Sequence, residues 1–522
     1  MPTSIRRRTA MQLGAAALAG GLAKPAIGQG KAGSLRFVPH ANLSTVDALW
    51  STALIAFDAS YMYADMLYGL DSKLIPQPQM VEGHEVSDDK LTWRITLRQG
   101  LLFHDNEPVR AADAVASIKR WSQRDLFGKR MASQLDEMNA LDDRRFEIRL
   151  KKPFAHLLYG LGATSCFILP ERIVSKADAF TQIKEAIGSG PYRFLKDEWD
   201  MGSHAAFARF DKYQPRQEKP DFWSGGKIAN LERVDWMIQP DPAIAWAALE
   251  KGEVDWLERP LFDLVPKMRA TKGVKVEVID PMGSWTEIYF NNAIPPFDNP
   301  KLRRALFPAV KQADFIQAIV GEQSDLMRTG VGVFLPGSPY ATDVGMELLN
   351  GPRSIDEARK LVKESGYNGE KIVQMAASDI ATNVAYSQVG YQMMKDIGLN
   401  VEYQSMDWGT MLSRWNAKEN TEKGAWNVFC VGWAGLWITN PGSHLPLGGN
   451  KPNPKMEALK EAWFDAADLA AQRKVTDDMQ RLAFEEPPFI PVGQYFVPQA
   501  HRDNIVDTIH APVTAFWSVR KT

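Results

Sequence analysis

The chain has 522 residues, of which 45% are hydrophobic and 24% charged, and its formal net charge is −2. This composition is that of a globular protein and excludes disordered, collagen-like and coiled-coil classes. The two cysteines exclude a disulfide-dense scaffold, and the small net charge excludes a globally basic nucleic-acid-binding protein. Because a single core stops growing at roughly 250–300 residues, we expect two large lobes.

The first 30 residues have the pattern of a removable export signal. Three arginines at 6–8 precede a weakly apolar run at 10–23, and Lys24 follows it. Consecutive arginines before such a run are typical of twin-arginine signals, and an ordinary secretory signal is the alternative. Either signal predicts cleavage near residues 28–30 and a periplasmic mature protein. Loss of four basic and no acidic residues changes the formal net charge from −2 to −6.

Strand and helix patterns alternate along the mature chain. Residues 91–98 and 145–150 alternate apolar and polar side chains, which is typical of half-buried strands. A proline at the start and a glycine at the end predict helices at 241–252 and 298–321. No flexible linker interrupts this order. The sequence therefore predicts an α/β protein whose two lobes are joined by several strands.

Five segments together resemble one known protein family. They lie at 91–121, 188–213, 234–255, 289–306 and 407–433. Among their motifs are Phe103-His104-Asp105, Gly188-Ser189-Gly190-Pro191-Tyr192, Asp407-Trp408 and Gly432-Trp433. The set resembles the family-5 extracellular solute-binding proteins, the dipeptide- and oligopeptide-binding receptors of bacterial ABC importers.

The resemblance implies a two-lobed periplasmic-binding-protein fold of the large type, with a hinge. Lobe I is then expected at 31–280, with an inserted subdomain at about 70–175, and again at 486–522. Lobe II is expected at 281–485. The resemblance also implies a monomeric receptor without a cofactor, and not an enzyme. Such a receptor closes on a peptide-like or other small organic ligand and delivers it to the transmembrane subunits of an ABC permease.

The candidate ligand contacts are mostly aromatic. The family pattern places Trp408 and Trp433 in the lobe II wall of the cleft, where large aromatic faces tolerate many ligand shapes. Two other candidates, Leu436 and Trp437, lie near that wall, and Asp379 is a further one. The remaining candidates are His40 and Asn42, both in the first loop, and Trp285, near a crossover strand. No catalytic residue or metal ligand is predicted.

The sequence departs from the peptide-binding pattern at both ends of the ligand. Peptide-binding relatives carry an Asp three residues after the Gly-Trp pair, which binds the ammonium group, and Leu436 occupies that place here. The next Asp-Pro of relatives is Asn440-Pro441, and residues 376–379 lack the Arg that binds the peptide carboxylate. An unpaired ammonium group in a closed cleft costs several kcal/mol. We therefore expect a ligand other than a plain zwitterionic dipeptide: a glycoside or opine-like compound, a modified or capped peptide, or a cationic solute facing Asp379.

Two other functions stay open on the residues alone. One is a periplasmic hydrolase that uses a cleft carboxylate such as Asp379 or Asp407, although no paired acid or nucleophile motif accompanies them. The other is a receptor for a metal chelate or a haem-like ligand, which aromatic walls can also hold.

Three further motifs have a structural interpretation. The run 104–107 contains His, Asp and Glu, but its spacing favours a turn over a metal site. The run 188–190 precedes a proline and a strand, which favours a turn over a phosphate-binding loop. Cys166 and Cys430 lie in apolar runs and are predicted to be small buried residues, with a disulfide between them as the alternative.

Overall fold

The computed structural model describes residues 33–51, 53–163, 165–416 and 425–522, apart from the side chain of Leu445. The predicted export signal lies outside the described residues. One large sheet has seven strands and another has six, and the parts of the chain built on them are here named lobe I and lobe II. Within the described ranges, no helix combines the length and the apolar character needed to cross a membrane.

Lobe I is built on the seven-stranded sheet. In spatial order its strands are Tyr192–Phe194, His204–Arg209, Arg233–Met237, Ser34–Val38, Trp256–Leu257, Gln499–Arg502 and Val274–Glu277. The strand Ser34–Val38 runs parallel to both of its neighbours. The carboxyl ends of these three strands therefore meet at one edge, and the loops that follow them lie side by side.

Lobe II is built on the six-stranded sheet. In spatial order its strands are Met327–Arg328, Phe489–Tyr495, Ser284–Phe290, Val428–Ala434, Ile372–Ala377 and Val401–Met406. Ser284–Phe290 pairs antiparallel with Val428–Ala434 on one side and with Phe489–Tyr495 on the other. Its residues from 285 to 290 are all buried, so it lies at the centre of the lobe.

The remaining strands form smaller sheets. A four-stranded sheet of Val81–Val86, Thr92–Leu97, Arg145–Leu150 and Leu135–Ala140 falls inside the range expected for an inserted subdomain. Two-stranded sheets pair Asp65–Met66 with Phe167–Ile168, Tyr68–Leu70 with Pro76–Pro78, and Ile505–Val506 with Arg520–Lys521. The α-helices are Leu54–Tyr63, Ala111–Trp121, Leu126–Gln134, Leu157–Gly162, Glu171–Val174, Pro242–Lys251, Val265–Ala270, Pro300–Arg304, Gln312–Val320, Glu347–Asn350, Ile355–Glu364, Ala381–Asp396, Trp408–Asn416, Pro454–Asp465 and Leu469–Glu485.

The chain passes between the two large sheets through residues 278–283 and again through 496–498. We expected the return to lobe I at residue 486. The structure differs, because Phe489–Tyr495 hydrogen-bonds along its length to Ser284–Phe290 and so belongs to the lobe II sheet. The two crossings lie beside each other at the ends of these paired strands, which is the arrangement of a hinge.

The helix expected at 298–321 is interrupted. The structure has separate helices at Pro300–Arg304 and Gln312–Val320. Pro308 lies between them, in a short 3-10 turn. A proline in a helix interior has no N–H to donate and its ring clashes with the preceding turn, so one continuous helix is excluded.

The 104–107 motif has a structural role. His104 Nε2 lies 3.0 Å from the carbonyl oxygen of Gly190, and burial lowers the pKa of His104 to about 4. Asp105 forms an ion pair with Arg172.

Cys166 and Cys430 are both buried and both free, so the disulfide alternative is wrong.

The glycine run at 188–190 lies against the end of the helix Leu54–Tyr63. The Gly190 N–H donates to the Tyr63 carbonyl oxygen at 3.0 Å, and a Cβ on Gly190 would lie 2.6 Å from the carbonyl oxygen of Met62. We expect Gly190→Ala to lower the free energy of unfolding by about 1–3 kcal/mol, because the backbones must move apart. Urea unfolding followed by circular dichroism measures this loss.

Gly83→Ala is the matched control for that substitution. A Cβ on Gly83 meets nothing within 4 Å. We expect Gly83→Ala to change the free energy of unfolding by less than about 0.5 kcal/mol. Equal losses in the two variants would show that close backbone approach at Gly190 is not what constrains the position.

Candidate functional site

His40 and Asn42 lie at the edge of lobe I where the parallel strands end. Together with Glu258 and Arg259 they line a cavity of about 340 Å³. The His40 backbone N–H donates to Glu258 Oε2 at 2.7 Å, and the His40 ring Nδ1 lies 2.8 Å from the same oxygen. Asn42 Oδ1 accepts a hydrogen bond from the Gly202 N–H at 2.9 Å. His40 thus belongs to a polar site, whereas Asn42 holds a neighbouring loop.

Buried acidic groups surround His40, and the sequence analysis missed them. Asp58, on the helix Leu54–Tyr63, is 0% exposed, and its Oδ2 lies 3.9 Å from His40 Nδ1. Burial and the neighbouring charge of Glu258 raise the pKa of Asp58 well above its usual range. Burial also raises the pKa of Asp280, in the first crossing segment, to about 7. The sequence does contain a signal for Asp58, because it is an aspartate inside an otherwise mostly apolar helix.

Trp433 and Leu436 lie at the end of the strand Val428–Ala434 in lobe II. Trp433 is half-buried, and its Nε1 donates to Glu287 Oε1 at 2.8 Å. Leu436 is 4% exposed and belongs to the short turn Gly435–Ile438 directly after the strand. The position where we predicted the loss of an anchoring Asp is therefore occupied by a buried apolar side chain.

Trp437 makes a direct contact between the lobes. Its ring meets the Phe57 ring edge to face, with centroids 5.4 Å apart. Nearby, Asn440 Nδ2 donates to the Tyr159 hydroxyl at 3.0 Å. These contacts join the segment 437–440 of lobe II to two elements of lobe I, so the lobes touch each other here.

Asp379, Asp407 and Trp408 lie together at the carboxyl edge of the lobe II sheet. Asp379 is exposed, and its Oδ1 accepts a hydrogen bond from the Trp408 N–H at 2.9 Å. Asp407 accepts hydrogen bonds from the backbone and hydroxyl of Thr410, which lower the pKa of Asp407. Both carboxylates thus bind the start of the helix Trp408–Asn416, which gives them a structural role.

Trp285 is far from an open surface. It is 0% exposed, its Nε1 donates to the Gly332 carbonyl oxygen at 3.0 Å, and its ring packs on His444 and Phe489. We expected Trp285 to be a candidate ligand contact. Its side chain instead belongs to the core of lobe II, because both faces of this central strand are covered.

A second cavity, of about 560 Å³, lies between the lobes beside the first crossing segment. Lobe I contributes Phe222 and His510, and lobe II contributes Arg328 and Thr439. None of the predicted site residues is among the described residues that line it. The loops that form it are distant in sequence, so no local pattern could reveal it.

Glu287 is a buried acid that the sequence analysis also missed. It is 0% exposed in the central strand of lobe II, and its Oε2 has no hydrogen-bond partner among the described residues. Burial raises the pKa of Glu287 well above its usual range. The available signal was a single charged residue inside the apolar strand 284–290, a position where unpaired charges are rare.

We expect Glu287→Gln to stabilise the protein by an amount that grows with pH. Because the pKa of Glu287 is higher in the folded state than the usual 4.5, the wild type loses stability as pH rises above that value. The loss is at most about 1.4 kcal/mol per pH unit, and a glutamine does not incur it. Urea unfolding at about pH 4.5 and about pH 7.5 measures the difference.

Glu277→Gln is the opposite-sign control. Despite partial burial, hydrogen bonds from His501 and Lys275 lower the pKa of Glu277 to about 2. Its replacement should therefore destabilise the protein at neutral pH and less so in acid. A Glu287→Gln variant that behaved in the same way would mean that Glu287 is ionised in the folded protein.

The structure thus has two lobes joined by two adjacent crossings, with a polar cavity at the edge of lobe I. The family described as bacterial extracellular solute-binding proteins, family 5 Middle, matches residues 76–455. The chain belongs to this family, and both the predicted family and the predicted α/β two-lobed fold are confirmed.

Known proteins are similar to this chain over more than nine-tenths of its length. The chain is 33% identical, over 92% of both sequences, to the probable peptide ABC transporter periplasmic-binding protein y4tO of Sinorhizobium fredii strain NGR234. A dipeptide-binding protein from Pseudoalteromonas, solved with Met-Leu, has a TM-score of 0.76 at 19% identity and covers 94% of this chain and 100% of its own. The protein AgaA from A. tumefaciens, solved with agropinic acid, has a TM-score of 0.74 at 18% identity and covers 94% and 99%.

Proposed function

We propose that the mature protein is a monomeric periplasmic receptor of an ABC importer that encloses one organic solute other than a plain zwitterionic dipeptide. Family membership supports the receptor role. The ligands of the two similar structures, a dipeptide and agropinic acid, support the view that this fold accepts chemically different solutes. The residues of the cleft therefore determine which solute is bound.

The proposed solute class depends mainly on Leu436. It stands in the turn after Trp433, at 4% exposure, where a peptide receptor needs a carboxylate. A leucine cannot compensate an ammonium group, and a buried unpaired charge costs several kcal/mol. The segment that would supply the opposite anchor ends in Asp379, an acid, so a peptide carboxylate meets no arginine there either.

Closure follows from contacts that exist only when the lobes meet. The Phe57–Trp437 contact and the Asn440–Tyr159 hydrogen bond both join lobe I to lobe II. A solute that touches both walls adds to these contacts in the closed form alone, so binding shifts the population toward closure. The permease can then distinguish loaded from empty receptor by its shape.

Isothermal titration of the mature protein tests the solute class. We expect Met-Leu to bind no more tightly than about 100 µM, because both charged ends lack partners. The Leu436→Asp variant restores the ammonium anchor and should bind Met-Leu at least about tenfold more tightly than the wild type. Micromolar binding of Met-Leu by the wild type would overturn the proposal.

Native mass spectrometry of protein taken from its own periplasm identifies the solute and the processing together. We expect a monomer that begins near residues 28–30 and carries a non-covalent organic mass that denaturation releases. A retained unmodified dipeptide would contradict the proposed solute class. Uncleaved protein would contradict the proposed export.

A further inference from the structure

We propose that His40, Asp58 and Glu258 bind one divalent transition-metal ion, of the Zn²⁺ or Ni²⁺ kind, at the cleft edge of lobe I. The three residues come from different elements: the loop after Ser34–Val38, the helix Leu54–Tyr63, and the end of Trp256–Leu257. The site concerns a metal ion alone and does not depend on which organic solute the receptor carries.

The donor atoms have the spacing of a metal site. One ring nitrogen of His40, one Asp58 oxygen and one Glu258 oxygen all lie within 4.8 Å of one another. Nδ1 is 2.8 Å from Glu258 Oε2 and 3.9 Å from Asp58 Oδ2. Ligands that each lie about 2.0–2.2 Å from Zn²⁺ in a tetrahedral site are separated by comparable distances. Small rotations of the two carboxylates would therefore suffice to bind the ion.

One oxygen of the cluster is buried without a partner. Asp58 is 0% exposed, and its Oδ2 has no hydrogen-bond partner among the described residues. Its other oxygen accepts a hydrogen bond from the Thr514 N–H at 3.3 Å, which fixes the carboxylate with Oδ2 toward His40. The backbone N–H of His40 donates to Glu258 Oε2, the oxygen that also faces the His40 ring, and so fixes the position of that carboxylate. Such outer hydrogen bonds are what orient ligands in metal sites.

The charge of the cluster also favours a dication. Three carboxylates, of Asp58, Glu258 and Asp280, interact there with one guanidinium group, that of Arg259. When these four groups are ionised and the His40 ring is neutral, as a metal ligand must be, two negative charges remain. A buried excess charge is costly unless a proton or a cation neutralises it. A divalent ion neutralises both charges at once.

The cavity at the lobe I edge supplies access and the remaining ligands. His40 and Glu258 both line its volume of about 340 Å³, which is large enough for water molecules or for a donor group of a solute. The ligand set mixes an imidazole nitrogen with carboxylate oxygens. This set suits Zn²⁺, Ni²⁺ or Mn²⁺ better than Mg²⁺ or Ca²⁺, which prefer oxygen alone.

Titration of chelator-treated mature protein with zinc sulfate, without any organic solute, tests the proposal. We expect one saturable site per chain with micromolar or tighter affinity. His40→Gln and Asp58→Asn should each weaken it by at least about tenfold and retain the thermal melting cooperativity of the wild type. With Co²⁺ as the probe, visible absorption bands should appear for the wild type and weaken in both variants.

His204→Gln is the matched control, because His204 Nε2 lies 3.1 Å from Asp235 Oδ1 but belongs to no such three-donor group among the described residues. It should leave Zn²⁺ affinity unchanged. Absence of saturable Zn²⁺ and Co²⁺ binding tighter than about 100 µM, or equal loss in all three variants, would overturn the proposal. Neither outcome would affect the proposed solute class, which is measured without metal.

Discussion

Lys227→Met is expected to lower the free energy of unfolding by about 3–5 kcal/mol. Lys227 is 0% exposed, and its Nζ lies 2.8 Å from Asp65 Oδ1 and 5.1 Å from the centre of the Trp517 ring. Methionine has a similar length but leaves the Asp65 carboxylate buried without its cation. The cation–π contact is lost as well. Urea unfolding of the mature protein measures the effect.

The double variant Lys227→Met, Asp65→Asn separates the buried charge from the lost contacts. It removes both charges, so it should regain most of the stability that the single variant loses. Arg481→Met, which breaks an exposed pair with Asp478, should cost less than about 1 kcal/mol. If the double variant were as unstable as the single one, packing and not charge would explain the loss.

Trp437→Ala is expected to open the receptor and to weaken solute binding at least about tenfold, which corresponds to about 1.4 kcal/mol. The Trp437 ring contacts Phe57 of the opposite lobe, and such an aromatic pair contributes about 0.5–1.5 kcal/mol beyond the area it buries. Its loss removes a contact between the two lobes. Small-angle scattering should show a larger radius of gyration for the solute-free variant.

Two further variants test whether the opening results from the loss of the Phe57–Trp437 contact. Phe57→Ala removes the other half of the contact, and adding it to Trp437→Ala should produce little further opening. Trp50→Ala removes a tryptophan that is 39% exposed, and it should leave the radius of gyration unchanged. A Trp437→Ala receptor as compact as the wild type would show that other contacts hold the lobes together.

Local patterns were sufficient for much of the fold. The strands Thr92–Leu97 and Arg145–Leu150 form where side-chain alternation predicts them. The helix Pro242–Lys251 begins after an Asp241 cap and ends at Gly252 in a left-handed conformation. These features depend on neighbours within a few residues, so the sequence shows them directly.

Predictions failed where distant segments decide the outcome. The strand Phe489–Tyr495 was placed in lobe I, but its pairing with Ser284–Phe290 is a contact across roughly two hundred residues. Trp285 and Trp437 are both tryptophans near predicted cleft segments, yet one is core and the other joins the lobes. Residue type alone cannot separate these roles, because the faces that cover each ring come from elsewhere in the chain.

The sequence by itself determined the class of protein and the alternation of strands and helices, and it is the source of the prediction that Leu436 replaces an anchoring acid. Only the tertiary structure showed where charge is buried: Asp58 and Glu258 beside His40, and Glu287 beneath Trp433. The physical reason is that periodicity and caps act over one or two turns of chain. Desolvation and ion pairing instead depend on every segment that folds around a group.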